Sequence, residues 1–310
     1  MRINPVLKNE IKLSARSFKF TLVILFYVGI LSAAGVLIFY NCIKNNYFEG
    51  LYLESIVYFY IGMAIIQAIL LMFIVPSLTS TAICAEREKQ TLEVLLSTKM
   101  SALSIVVGKL LSSISRVVLL VICTIPIYSI TFLIGGINLG NVVELSLFFI
   151  VVTIFVGAVG VFISTVVKTS RAATAISYGA VLLIFIGITV GTFIYIIYSS
   201  EKTNYSANIN FPIWAYISPT FGFISLLGKQ LGFEGIMNSI YYLDNANLSS
   251  FEYGYLISMG IQIVISVLLV LISAYKLNPL HKGRYKRRSE ERRVGKECRI
   301  GCRSRWSPYH

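Results

Sequence analysis

The chain has 310 residues, 56% of them hydrophobic and only 13% charged, with a mean hydropathy of +0.77 and a net charge of +13. A soluble domain carries about 45–50% apolar and about 25% charged residues, so this balance excludes a water-soluble fold and specifies an integral membrane protein. No segment alternates apolar and polar residues as a transmembrane strand does, which excludes a barrel and leaves the helix as the spanning element.

In chain order, six runs are long and apolar enough to cross a bilayer: residues 20–40, 57–80, 117–134, 142–167, 172–198 and 253–275. The first is too long for the apolar core of a cleaved signal and has no small-residue cleavage site after it, so it reads as a retained span. Residues 1–19 before it carry Arg2, Lys8, Lys12, Arg16 and Lys19. Arg87, Lys89, Lys99 and Lys109 lie between spans two and three, Lys168 and Arg171 between four and five, and Lys276, Lys282, Arg284, Lys286 and Arg287 after six. The alternate connections hold Lys44, then no basic residue, then Lys202 and Lys229 in a long outer segment over 199–251. This asymmetry predicts an all-α protein of six transmembrane helices with both termini in the cytoplasm. The basic balance is thus a signal of topology, and no nucleic-acid partner is expected.

One stretch breaks the apolar pattern: "CAEREKQTLEVLLSTKM", residues 84–100. Leu92, Leu95 and Leu96 recur at helical spacing, while Glu86, Glu88, Lys89, Glu93 and Lys99 take the rest of the wheel. The pattern predicts an amphipathic helix along the cytoplasmic face, and a solvated interfacial linker has the same composition. The following "SALSIVVGKLLSSISRVVLL", from Ser101 to Leu120, has no proline or helix stop. The third helix is therefore expected to begin below the membrane, with Arg116 reaching the headgroups.

Within the spans, Gln67 and Gln262 are the polar residues nearest mid-membrane; they either line a path or bond between helices. Gly187 and Gly191 form a G-x-x-x-G pair that serves either a helix dimer or, more commonly, packing inside one chain. The outer segment contains "FPIWAYISPTFGFISLLGKQLGF", whose Trp214 and Tyr216 suit an interfacial or re-entrant helix. Cys42, Cys84 and Cys123 fall in separate segments and read as small apolar residues.

No histidine precedes His281, and the central turns of the spans hold no Asp or Glu. Intramembrane proteolysis and a buried proton relay are both excluded on that ground. The nearest approach to a phosphate loop, "GFISLLGKQ", has the wrong spacing, so neither catalysis nor a cofactor is expected in this chain. In the basic tail over 280–310, Cys298 and Cys302 lack the further ligands a metal would need. The pieces "RSEERRVGKEC" and "RSRWSPYH" resemble a sequencing adapter translated in frame, which sets residues 288–310 aside as an artefact.

"NPVLKNEIKLSARSFKF", from Asn4 to Phe20, and "VPSLTSTAICAEREKQTLEVLLSTKMSALSIVVGKLL", from Val75 to Leu111, together resemble the permease subunit of the bacterial type-2 ABC transporter family. Lys99 departs from the pattern, since relatives often carry proline there. The resemblance implies a six-span permease domain over 20–279 in the bacterial plasma membrane, forming half of an export channel. Its implied partners are a second permease, identical or not, membrane lipid, and two ABC ATPase subunits that hold ATP and Mg. It also implies a helix leading into the membrane over 1–19, carrying Asn4, Pro5, Lys8, Glu10 and Lys12. In the coupling layer, Glu86, Arg87, Glu88, Thr91 and Glu93 would face the ATPase or brace the adjoining helices, and a short outer gate would precede span six. The alternative from another class is a scaffold or sensor that recruits a cytoplasmic partner through the same charged stretch.

Overall fold

A computed structural model describes residues 18–45, 53–91, 101–134, 137–202, 212–231 and 253–277. Asn4, Pro5, Lys8, Glu10, Lys12, Glu93 and the tail over 280–310 lie outside the described residues. Helices α1 (Phe18–Asn45) and α2 (Leu53–Thr79) are followed by a short α3 (Cys84–Glu88), then α4 (Ala102–Ile134) and α5 (Leu139–Val166). Helix α6 (Ser170–Leu182) runs through a π-helical turn (Leu183–Gly187) into α7 (Ile188–Lys202), and together they make the fifth span. A 3₁₀ turn (Ile213–Ile217) leads to α8 (Pro219–Leu231), and α9 (Gly254–Leu277) is the sixth span.

Six helical segments are long and apolar enough to cross a membrane, and the described residues contain no strand, so the protein is an all-α, multi-pass membrane protein. The third span starts at Ala102, well before its apolar run, because nothing in the sequence stops the helix there. Inside the spans, hydroxyls turn back onto their own helices: Thr79 donates to the Val75 carbonyl, Thr153 to Phe149 and Thr192 to Ile188. This satisfies polar side chains where lipid offers no partner.

Helix α5 is the centre of the bundle, with 67% of its apolar window buried against 17% for the first and fifth spans. It packs against α9, α4 and α2. Its glycines let α2 come close: Gly157 lies against Thr79 and Ile114, and a Cβ on Gly160 would run into the Thr79 side chain. Leu25, Phe26 and Leu37 of α1 are among the apolar residues left on the outside, a surface suited to lipid or to another apolar helix. In the fifth span a Cβ on Gly191 would meet the Trp214 ring at 3.1 Å, whereas Gly187 is exposed and nearest to Leu183 of its own helix. The two glycines therefore do not form one continuous groove against a single neighbour.

The expected helix over 84–100 is interrupted, because α3 ends at Glu88. The amide of Gln90 donates to the Arg87 carbonyl and that of Thr91 to the Glu86 carbonyl, and Gln90 has φ of 57°. This is the Schellman termination, in which a left-handed residue closes the last helical turn.

Candidate functional site

Of the charged residues of α3, Glu86 and Arg87 are half-buried and Glu88 is exposed, yet all three bond to neighbouring elements. Ser164, fully buried on α5, accepts the amides of Ile83 and Cys84 at 3.0 Å each, so α5 caps the start of α3. The Cys84 Sγ lies 3.1 Å from the carbonyl oxygens of both Ser164 and Val167. Arg87 donates to the carbonyls of Val167 at 2.8 Å and Thr165 at 3.1 Å, the end of α5. Glu88 accepts from the amide and the hydroxyl of Ser170, both at 2.7 Å, at the first turn of α6. Glu86 pairs with Lys109 of α4 at 2.8 Å and accepts the Thr91 hydroxyl at 2.5 Å.

A cation on a helix C-terminus and an anion on a helix N-terminus are the favourable placements for the helix dipole. Arg87 and Glu88 make both at once, on the two sides of the short loop between α5 and α6. The result is one knot in which α3 holds α4, α5 and α6 together. Lys89, Gln90 and Thr91 stay exposed on its surface, beside exposed Lys168 and Arg171. Four of the residues singled out in the sequence, Glu86, Arg87, Glu88 and Thr91, thus meet in one place. Ser164 and Ser170 were missed, since a lone serine near the end of an apolar run carries no distinguishing pattern.

A second polar cluster sits near the start of α5. Lys229 of α8 donates to Glu144 and to the Tyr255 hydroxyl, both at 2.7 Å, and its ammonium lies 4.6 Å from the centre of the Tyr255 ring. The hydrogen bond that Lys229 donates to the Glu144 carboxylate holds its ammonium above the usual lysine range. Gln230 donates to the Asn141 carbonyl at 3.0 Å and accepts the Tyr60 hydroxyl at 2.8 Å. Helix α8 is thereby tied to α2, α5 and α9. Glu144 and Ser164 are about 30 Å apart along α5 at about 1.5 Å per residue, the thickness of a hydrocarbon layer.

Gln67 and Gln262 are both buried. Gln67 donates to Thr124 at 3.2 Å, an interhelical bond between α2 and α4, and Gln262 donates to Ser258 at 2.9 Å within α9. Neither lines the cavity of about 590 Å³ between α2, α5, the fifth span and α8. Arg116 folds back on its own helix, donating to the Ser112 carbonyl and the Ser113 hydroxyl.

Among known proteins, a family model described as ABC-2 family transporter protein matches residues 40–275. No curated protein matches the chain.

Proposed function

The chain belongs to the ABC-2 transporter family as a membrane permease, and from that premise we propose that it is the pathway-forming subunit of an ATP-driven exporter in a bacterial plasma membrane. On this reading it pairs with a second permease and with separate ATPase subunits, which bind ATP and Mg. The positive-inside asymmetry of the sequence supports a cytoplasmic position, on the ATPase side, for the α3 knot.

One observation carries the reading: the charges of α3 fasten it to α4, α5 and α6 at once. A push on the exposed turn from Lys89 to Thr91 would therefore move three helix ends as a unit. A permease without its own nucleotide site needs such a rigid element with discrete arrangements that the ATPase can bias. Of the two roles the family resemblance implies for Glu86, Arg87 and Glu88, the geometry supports bracing the helices, and leaves the turn as the ATPase contact.

The test is a reconstituted complex with the ABC ATPase. Removing Arg87 deletes charge-assisted bonds worth about 1.5–3 kcal/mol, so Arg87→Ala is expected to lower transport-stimulated ATP hydrolysis by about tenfold or more. Arg87→Lys falls between, since an ammonium cannot fork across two carbonyls. Both variants should still insert and co-purify with the ATPase. Full stimulated hydrolysis in Arg87→Ala would overturn the bracing role. A wild-type chain that never co-purifies with an ABC ATPase would instead favour the scaffold.

A further inference from the structure

The hydroxyls on the cavity between α2, α5, the fifth span and α8 are all spent: Thr153 donates to the Phe149 carbonyl, and Thr189 and Thr220 donate to that of Phe185. The rest of its lining is apolar. Unspent polar atoms lie elsewhere, between α1, α2 and α4. Among the described residues, the hydroxyls of Tyr27 and Tyr128 and Oε1 of Gln67 are buried without a hydrogen-bond partner. All three residues are at most 2% exposed. Buried polar groups are nearly always satisfied, by protein or by ordered water.

The geometry gathers these atoms. Gln67 donates through Nε2 to the Thr124 hydroxyl at 3.2 Å, and Thr124 gives its own hydrogen to the Val121 carbonyl at 2.7 Å. Thr124 can therefore only accept from Gln67, which fixes the amide with Oε1 turned away as an acceptor. Tyr128 follows Thr124 by one turn on the same face of α4. Its ring meets edge-on, at 5.8 Å, that of Tyr60, which stands two turns from Gln67 on α2. Tyr27 reaches in from α1, its phenol beside the Gln67 side chain but not in hydrogen-bond geometry with it, and within electrostatic range of Tyr128.

Two phenols that can donate and one carbonyl oxygen that can only accept are complementary to a water molecule, with its two lone pairs and two hydrogens. Buried waters typically make about three such bonds. A bridge here would also tie down α1, which otherwise meets α2 through apolar contacts such as Phe39 with Phe59 and turns its Ser32 hydroxyl back onto its own Gly29 carbonyl.

We propose that Tyr27, Gln67 and Tyr128 bind a water molecule that accepts from the two phenols, donates to the Gln67 carbonyl and so pins the first span to α2 and α4. The site is closed by helices of this chain alone, so it needs neither lipid nor a second permease to complete it, and it does not depend on whether the protein exports anything.

The experiment is radiolytic footprinting of the full chain in lipid nanodiscs. A short X-ray pulse turns water into hydroxyl radicals where it sits, and mass spectrometry locates the side chains that gain oxygen. Tyr27 and Tyr128 are expected to be oxidised, while Phe155, as deeply buried on α5, is not. Tyr27→Phe keeps the ring and removes one partner of the water. It should lower oxidation of Tyr128 about fivefold, the equilibrium worth of one hydrogen bond. Gln67→Leu should lower oxidation of both tyrosines. The thermal midpoint supplies a second reading through its sign: deleting a hydroxyl that has no partner raises it, whereas deleting one bonded to water lowers it. Tyr27→Phe and Tyr128→Phe are therefore both expected to lower the midpoint. Tyrosines as unreactive as Phe155 would mean that the phenols bond Gln67 directly, and would overturn the proposal. So would equal oxidation of all three rings, which would mean general entry of solvent, oxidation of Tyr128 indifferent to both Tyr27→Phe and Gln67→Leu, or a midpoint raised by Tyr27→Phe.

Discussion

Arg87 and Glu88 are neighbours in sequence yet serve opposite ends of different helices, the guanidinium on the last carbonyls of α5 and the carboxylate on the first amide of α6. The helical wheel put Glu88 on the polar face and assigned Arg87 to neither face, because periodicity records which side of a helix is polar and not what that side touches. The partners of Arg87 lie 80 and 78 positions away, a relation that no local pattern encodes. The turn that follows was equally hidden, since Gln90 is not a residue that announces a left-handed conformation. Holding a side chain there costs about 1 kcal/mol or more, which glycine avoids. Gln90→Gly should therefore raise the thermal midpoint of the purified protein in detergent, and Gln90→Val should lower it. A drop in both variants would show that the turn is not left-handed in the folded protein.

At the scale of elements, the six spans were legible because length and hydropathy alone decide which segments cross a bilayer. Their mutual packing was not. Gly187 and Gly191 attracted notice as a motif, whereas Gly157 and Gly160, which admit Thr79 at the crossing of α2 and α5, did not. A glycine pair says that something can approach closely and leaves open what does. Adding a methyl at Gly160 forces Thr79 aside, and overpacking of this kind costs about 1–3 kcal/mol. Gly160→Ala is expected to be destabilising alone and largely repaired by Thr79→Ala in the double variant. A double-mutant cycle of thermal stabilities would read this as strong non-additivity; additive losses would mean the two helices do not meet there.

Across the whole molecule, polar contacts gather at the two ends of α5: the α3 knot beside Ser164, and the Glu144, Lys229 and Tyr255 cluster at the other. The basic residues pointed to the first end in the sequence. The second was obscure, because Lys229 sits in an aromatic-rich segment far from its partner Glu144. An exposed ion pair by itself contributes about 1 kcal/mol or less, but this one also fixes α8 over the apolar cavity. Lys229→Glu should loosen α8 and raise the reactivity of a Thr189→Cys probe toward a membrane-impermeant maleimide. The swap of Glu144→Lys with Lys229→Glu should return it toward the original rate, and an unchanged rate in the single variant would show that the pair does not hold α8 down.

Cys84 lies at the centre of the α3 knot with no exposed surface, its sulfur against two carbonyls of the α5 terminus. An alkylating reagent can reach that thiol only after α3 has parted from α5. The native sequence therefore contains its own clock for this junction: the rate at which Cys84 reacts, followed peptide by peptide, counts how often the knot opens, with no foreign probe added to disturb it.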